Sequence, residues 1–159
     1  MIIGFNHTSF TVADMDKSVK FWTQMLGFTA ASISPREGRW QEEVTGISGA
    51  SLLVAHLFGH GHHIEFIQYL AGAIPGTAPE PALPGAAHVC LETDDIERTW
   101  DALVKAGATV QGRIATVTTG AVGGAKAGYI RDPNGILIEL LQLAQCRAQP
   151  YTSDHAASS

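Results

Sequence analysis

The chain has 159 residues, enough for one domain or two small fused modules, and its 45% hydrophobic against 16% charged content suits a fold that buries a core. A formal net charge of −5 excludes a broad basic surface for nucleic acid or an anionic membrane, while leaving room for a small anionic substrate held by one or two arginines. No apolar run approaches the roughly 20 residues that cross a bilayer, and MIIGFNHTS lacks the charged start and long apolar stretch of a secretion signal, so a cytoplasmic protein is expected.

From Phe5 the chain alternates: Phe5, His7, Ser9 and Thr11 fall on one face of a strand, Asn6, Thr8, Phe10 and Val12 on the other. Asp14 is placed to cap a helix with Lys17 to Met25 as its body. Val19, Trp22 and Leu26 form the apolar stripe, and Gly27 supplies the stop. Phe28–Ser34, Trp40–Val44, Ser51–Leu57 and His63–Leu70 all read as strands, with Gly59-His60-Gly61-His62 as the turn between the last two. Gly72–Gly85 then holds Pro75, Pro79, Pro81 and Pro84, four of the seven prolines, which marks a stiff linker. After it the pattern begins again. Ala87–Thr93 is a strand, Asp94 or Asp95 a cap, and Ile96, Trp100, Leu103 and Val104 a helical stripe ended by Gly107. Asp132-Pro133-Asn134-Gly135 is a turn before the last strand. The expected architecture is therefore α+β: two tandem βαβββ modules, 1–71 and 86–143, joined by the linker 72–85 and followed by a polar tail, 144–159. Together they form one domain. Cys90 and Cys146 suit free thiols in a reducing compartment better than a disulfide.

The repeat carries chemistry. His7 in FNHTSFTV matches His88 in GAAHVCLE, and Glu65 in IEFIQ matches Glu139 in IELLQ. One histidine in an apolar strand is commonly a satisfied core residue. Two histidines and two glutamates recurring in register make a divalent-metal ligand set. Both glutamates have apolar neighbours, and an unpaired buried carboxylate costs on the order of several kcal/mol. A metal or an arginine has to pair with each.

Three stretches, HTSFTV…DKSVKFWTQMLGF (7–28), GAAHVCLETDDIERTWDALVKAGATV (85–110) and GYIRDPNGILIELLQ (128–142), resemble the vicinal oxygen chelate superfamily. That group includes glyoxalase I, methylmalonyl-CoA epimerase, extradiol ring-cleaving dioxygenases, fosfomycin-modifying enzymes and bleomycin-resistance proteins. The resemblance covers residues 2 to about 143. It implies a curved mixed sheet around a metal held by His7, Glu65, His88 and Glu139, the set of glyoxalase I-like members. The element among Ni, Co, Zn, Mn, Fe and Mg stays open. It also implies a homodimer, with the site built within one chain or across two.

Epimerase-like members carry glutamine at the second ligand position, so Glu65 departs from their pattern. The leading expectation is a metal-dependent lyase or isomerase of glyoxalase I type. On a small oxygenated carbonyl substrate, Glu139 first and Glu65 second would move the proton beside the carbonyl through a metal-stabilised enolate. The alternatives are a methylmalonyl-CoA epimerase-like enzyme, an iron-dependent ring-cleaving dioxygenase and a non-enzymic drug-binding resistance protein.

Other residues have two readings each. His63, on the face of Glu65, is a substitute ligand or a substrate contact. His56, His60 and His62 read as a solvated turn cluster. Glu42 and Glu43 sit on the expected strand 40–44, where Glu43 is a second acid or base for substrate or simply an exposed charge. Arg39 and Arg131 are candidates to grip a substrate carboxylate or phosphate, and Arg131 equally supports its turn. Cys90 shares the face of His88 but reads as a small core residue. The Gly-rich run Thr119–Gly128 is a loop able to close over the site.

Overall fold

The structure, a computed structural model, describes residues 1–36, 38–120 and 123–144. In chain order the elements are β1 (Thr8–Thr11), α1 (Met15–Met25), β2 (Thr29–Pro35), α2 (Trp40–Thr45), β3 (Ser51–Gly59), β4 (His62–Ala71), β5 (His88–Glu92), α3 (Ile96–Lys105), β6 (Thr109–Val110), β7 (Ala115–Thr116), β8 (Lys126–Arg131) and β9 (Leu137–Gln142). They make two curved mixed sheets, ordered β1-β4-β3-β2 and β5-β9-β8-β6, with β7 also paired to β8. In each, the strand before the helix lies parallel to the last strand of its module, and the remaining pairs are antiparallel. The curved mixed β-structure expected from the sequence is built as one sheet per module, with β1 and β5 each at one edge.

The helices start as the repeat dictates. Asp14 accepts from the Lys17 backbone N–H at 3.0 Å and Asp95 from that of Arg98 at 3.0 Å, each satisfying a donor that has no partner within its helix. A second device is repeated too. The Gln68 side-chain oxygen accepts from Met15 N at 2.8 Å, and that of Gln142 accepts from Ile96 N at 2.9 Å. The last strand of each module therefore holds the first turn of that module's helix.

The core faces away from the expected ligands. Val12, Ile64, Phe66, Leu57 and Ala55 bury their side of the first sheet under Phe21 and Trp22 of α1, while Ile130, Ile138 and Leu140 do the same with Ile96 and Leu103 of α3. Trp22, fully buried, packs edge-on against Phe28 and Phe66 at 5.1 and 5.2 Å. It also joins the modules, because its indole N–H donates to Asp132 at 3.0 Å. Asp132 further accepts from the backbone of Asn134 and Ile136 at 2.9 Å each. Asn134 in turn accepts from Ala13 N and Asp14 N. Burial pushes the Asp132 carboxyl above its ordinary range, against the pull of these donors.

One element departs from the sequence reading. Trp40–Val44 was expected as a strand, and 40–45 is instead the short helix α2, with Gly46 at φ 70° as its left-handed stop. The buried Gln41 decides it. Its amide donates to Arg36 O and Gly38 O, and its oxygen accepts from Leu52 N, pinning the segment over the end of β3. β1 also starts later than the alternation suggested, at Thr8. The run 119–128 reaches β8 at Lys126, and its centre, 121–122, lies outside the described residues, as do Cys146 and the tail beyond 144. Among the described residues no helix is long and apolar enough to cross a membrane.

Candidate functional site

Strand parity assembles two matching rows of side chains. In the first sheet Glu65 lies beside Ser9 of β1 and His56 of β3, and His56 lies beside Ser32 of β2. In the second, Glu139 lies beside Cys90 of β5 and Tyr129 of β8. Directly paired residues share a face, and His7 and His88, two positions before Ser9 and Cys90, share it too.

The two histidines meet the two glutamates in the same way. His7 Nε2 is 3.4 Å from Glu65 Oε1, and His88 Nε2 is 3.1 Å from Glu139 Oε2. Donors held at about 2.0–2.2 Å by one divalent ion stand roughly 3.0–3.5 Å apart at tetrahedral or octahedral angles. Each pair therefore has the spacing of two neighbouring ligands. His7 Nδ1 also meets Asn6 Oδ1 at 2.7 Å, which fixes the ring and leaves Nε2 for a ligand. Hard carboxylate oxygens and borderline imidazole nitrogens suit a first-row divalent ion. The residues present thus fit such a metal, two donors at a time. Among the described residues, however, no three His, Cys, Asp or Glu side chains gather into a metal-holding group. The pairs stand on separate sheets of the chain.

Their surroundings differ. Beside Glu65, His56 Nδ1 approaches to 3.8 Å, Arg36 Nη2 bonds His56 Nε2 at 2.8 Å, and His56 Nδ1 meets His63 Nε2 at 3.1 Å. Phe58 stacks on His63 at 4.3 Å. Burial lowers the His56 pKa, Glu65 opposes that, and Arg36 adds to it. Beside Glu139, on the two paired strands, stand two neutral groups that carry a proton, the Tyr129 hydroxyl and the Cys90 thiol. Burial first, and the Glu139 charge second, push the thiol up to about 11 and raise the tyrosine, so both keep their protons at neutral pH. Tyr129 also sits edge-on to His88 at 5.2 Å.

The structure sorts the remaining expectations. His63 lies beside His7 at 5.3 Å between ring centres, within the site face. The solvated cluster is corrected in one member: His60 and His62 are exposed, although the His60 ring bonds Leu26 O at 2.8 Å and packs on Phe28, whereas His56 is half-buried and belongs to the site. Glu42 and Glu43 lie on α2 rather than on a strand, with Glu43 exposed. Arg39 is exposed at the start of α2. Arg131 bonds Gln111, Gly135 O and Pro79 O, tying the linker to the last hairpin. Arg36, Tyr129 and Cys90 are the neighbours that sequence reasoning left out of the site. Strand register brings in Tyr129 and a hydrogen bond to His56 brings in Arg36, while Cys90, expected as a core residue, is exposed on the face it shares with His88.

The family model described as Glyoxalase/Bleomycin resistance protein/Dioxygenase superfamily matches residues 4–140. A 2-epi-5-epi-valiolone epimerase from an Actinomyces species is 25% identical over 89% of this chain and 80% of its own length. A probable lactoylglutathione lyase of Vibrio parahaemolyticus is 28% identical over 89% and 92%. A glyoxalase family protein of Bacillus cereus, solved by crystallography, superposes with a TM-score of 0.77 at 26% identity, covering 91% of this chain and 97% of that one.

Proposed function

The chain belongs to the Glyoxalase/Bleomycin resistance protein/Dioxygenase superfamily, and we propose that within it the protein is a divalent-metal-dependent lyase or isomerase that shifts a proton beside the carbonyl of a small oxygenated substrate. The observation that carries this reading is the doubled His–Glu pair with ligand-like spacing. His7, Glu65, His88 and Glu139 would hold the metal, which supplies Lewis-acid polarisation of substrate oxygens when bound. Since the pairs stay apart in one chain, each site is completed by a second copy: His7 and Glu65 from one, His88 and Glu139 from the other. A two-fold dimer makes two such sites.

The residues divide the remaining tasks. Glu139 is the base, because its neighbours Tyr129 and Cys90 are neutral donors able to steady it in either protonation state. Glu65, hemmed by His7 and His56, serves as ligand. A second reading, epimerisation with Glu65 and Glu139 acting from opposite faces, is favoured by their equivalence in the two modules and by the similarity to an epimerase.

The test starts with metal content by mass spectrometry. Purified protein is expected to hold about one divalent ion per four-ligand set, and His7→Ala or His88→Ala to lose it. Solvent deuterium should then enter beside the carbonyl in a panel of 2-hydroxycarbonyl compounds. Protein that takes up no divalent ion after reconstitution sinks the enzyme reading in favour of a ligand-binding protein. Oxygen consumption with a catechol would move it to ring cleavage.

A further inference from the structure

The first module carries a third and a fourth imidazole, His56 and His63, within reach of Glu65 and His7. Either is a competent metal ligand, and copper, nickel and zinc all favour imidazole. A four-ligand site flanked by two spare histidines ought to recruit one. The hydrogen bonds explain how it is prevented.

Arginine has only N–H donors. Because Arg36 Nη2 stands 2.8 Å from His56 Nε2, that nitrogen must accept, and the His56 proton must sit on Nδ1. His56 Nδ1 in turn lies 3.1 Å from His63 Nε2, so this second nitrogen also accepts, and His63 keeps its own proton on Nδ1. The direction runs one way, from Arg36 through His56 to His63. Ser34 Oγ accepts from Arg36 Nη1 at 3.2 Å and holds the guanidinium at the head of the chain. Phe58, stacked on the His63 ring, holds its foot. A metal ligand needs a nitrogen lone pair. Along this chain the lone pairs of His56 Nε2 and His63 Nε2 are both occupied by donors, and the Nδ1 atoms carry protons.

We infer that Arg36 is a positioning residue which, through His56, keeps His63 off the metal and so preserves a two-histidine, two-glutamate site in a pocket that holds four imidazoles. The second module has no counterpart. The position beside Glu139 that matches His56 is Tyr129, which offers no imidazole. The guard stands only in the module that has spare histidines.

This inference rests on the metalloenzyme reading, but half of its test does not. In metal-free protein, 15N–1H correlation spectra of the histidine rings should show His56 and His63 bare at Nε2 and protonated at Nδ1. In Arg36→Met, His56 should lose that fixed form. Copper(II) is then added to the full-length protein and the coordinated imidazoles are counted by pulsed electron paramagnetic resonance. Wild type should show two. Arg36→Met and His56→Phe should each show three, and His56→Phe combined with His63→Leu should return to two, which identifies the newcomer as His63. Three imidazoles in the wild type, a His56 protonated at Nε2, or a count that stays at two in both single variants each overturn the inference. A wild type that binds no copper, zinc or nickel while the ring protons sit as assigned overturns the metal reading and leaves the proton direction standing.

Discussion

Module one and module two set the same His–Glu pair at the same register and surround it with opposite chemistry. Glu65 looks onto imidazoles backed by a guanidinium, Glu139 onto a hydroxyl and a thiol. The ladder geometry is duplicated because the strand that supplies each glutamate also caps its module's helix through Gln68 or Gln142. Register, once tied to a helix start in this way, cannot slip without breaking that bond. Among the described residues the neighbouring strands bond no helix's first N–H in this way, and there the modules differ. Equivalent scaffolds thus carry unequal roles.

The largest effect expected from that comparison comes from recombining the halves. His7→Ala and His88→Ala should each abolish metal binding. If sites form across two copies, co-refolding the two variants restores one intact site in every mixed dimer, roughly a quarter of the wild-type metal. If each site closes within a chain, the mixture stays empty, and metal analysis of the mixture decides.

Next in size is the inequality of the glutamates. Glu139→Gln should slow deuterium exchange into substrate by about 10²–10⁴-fold, the usual worth of a positioned base. Glu65→Gln should act mainly through metal affinity, by more than the roughly 10–100-fold that losing an outer-shell partner costs. Equal losses of exchange at saturating metal would favour the two-base epimerase instead.

The turns before the last strands differ as well. Asp132, 1% exposed, accepts three N–H groups, one of them from the other module. In the matching turn of the first module, His60 makes a single side-chain bond, to Leu26 O. Asp132→Ala orphans those donors and should cost about 2–5 kcal/mol in urea unfolding, against roughly 1 kcal/mol for His60→Ala. The sign with pH also follows. The native carboxyl titrates above the ordinary 3.8, so the protonated form is favoured in the folded state. Its contribution is fully present below 3.8, is lost as pH rises through the raised value, and is flat above it. Asp132→Asn should remove that slope.

How much of this the sequence held depends on the range of the signal. His7, Glu65, His88 and Glu139 were legible because a repeat exposes residues on parallel first and last strands without any knowledge of pairing. Asp14 and Asp95 were legible as caps, because a cap bonds three residues ahead. His56 was misread as part of a turn cluster, and Tyr129 and Arg36 went unnoticed. Their place in the site is set by antiparallel partners such as His56 with Glu65 and Tyr129 with Glu139, which no local pattern encodes. Helix α2 failed for a related reason. Five residues with apolar ends, Trp40–Val44, fit either period, and the choice was made by Gln41 bonding Leu52 N, eleven positions on.

The smallest predicted effect is the one that tests whether the scaffolds are truly equivalent. Gln68→Ala and Gln142→Ala remove the same bond, to the first helical N–H of α1 and of α3, and each should cost about 0.5–1.5 kcal/mol. Equality is the informative result, since the strands flanking the two glutamines differ in length and partners. The first sheet braces Gln68 against Leu53 of the nine-residue β3, while Gln142 pairs with Lys126 at the start of the six-residue β8. A markedly smaller loss at Gln142 would mean that the second module's helix is held by its Asp95 cap and its core contacts. In that case the register of Glu139 would rest on packing, and Gln142→Ala would leave metal affinity untouched where Gln68→Ala lowers it.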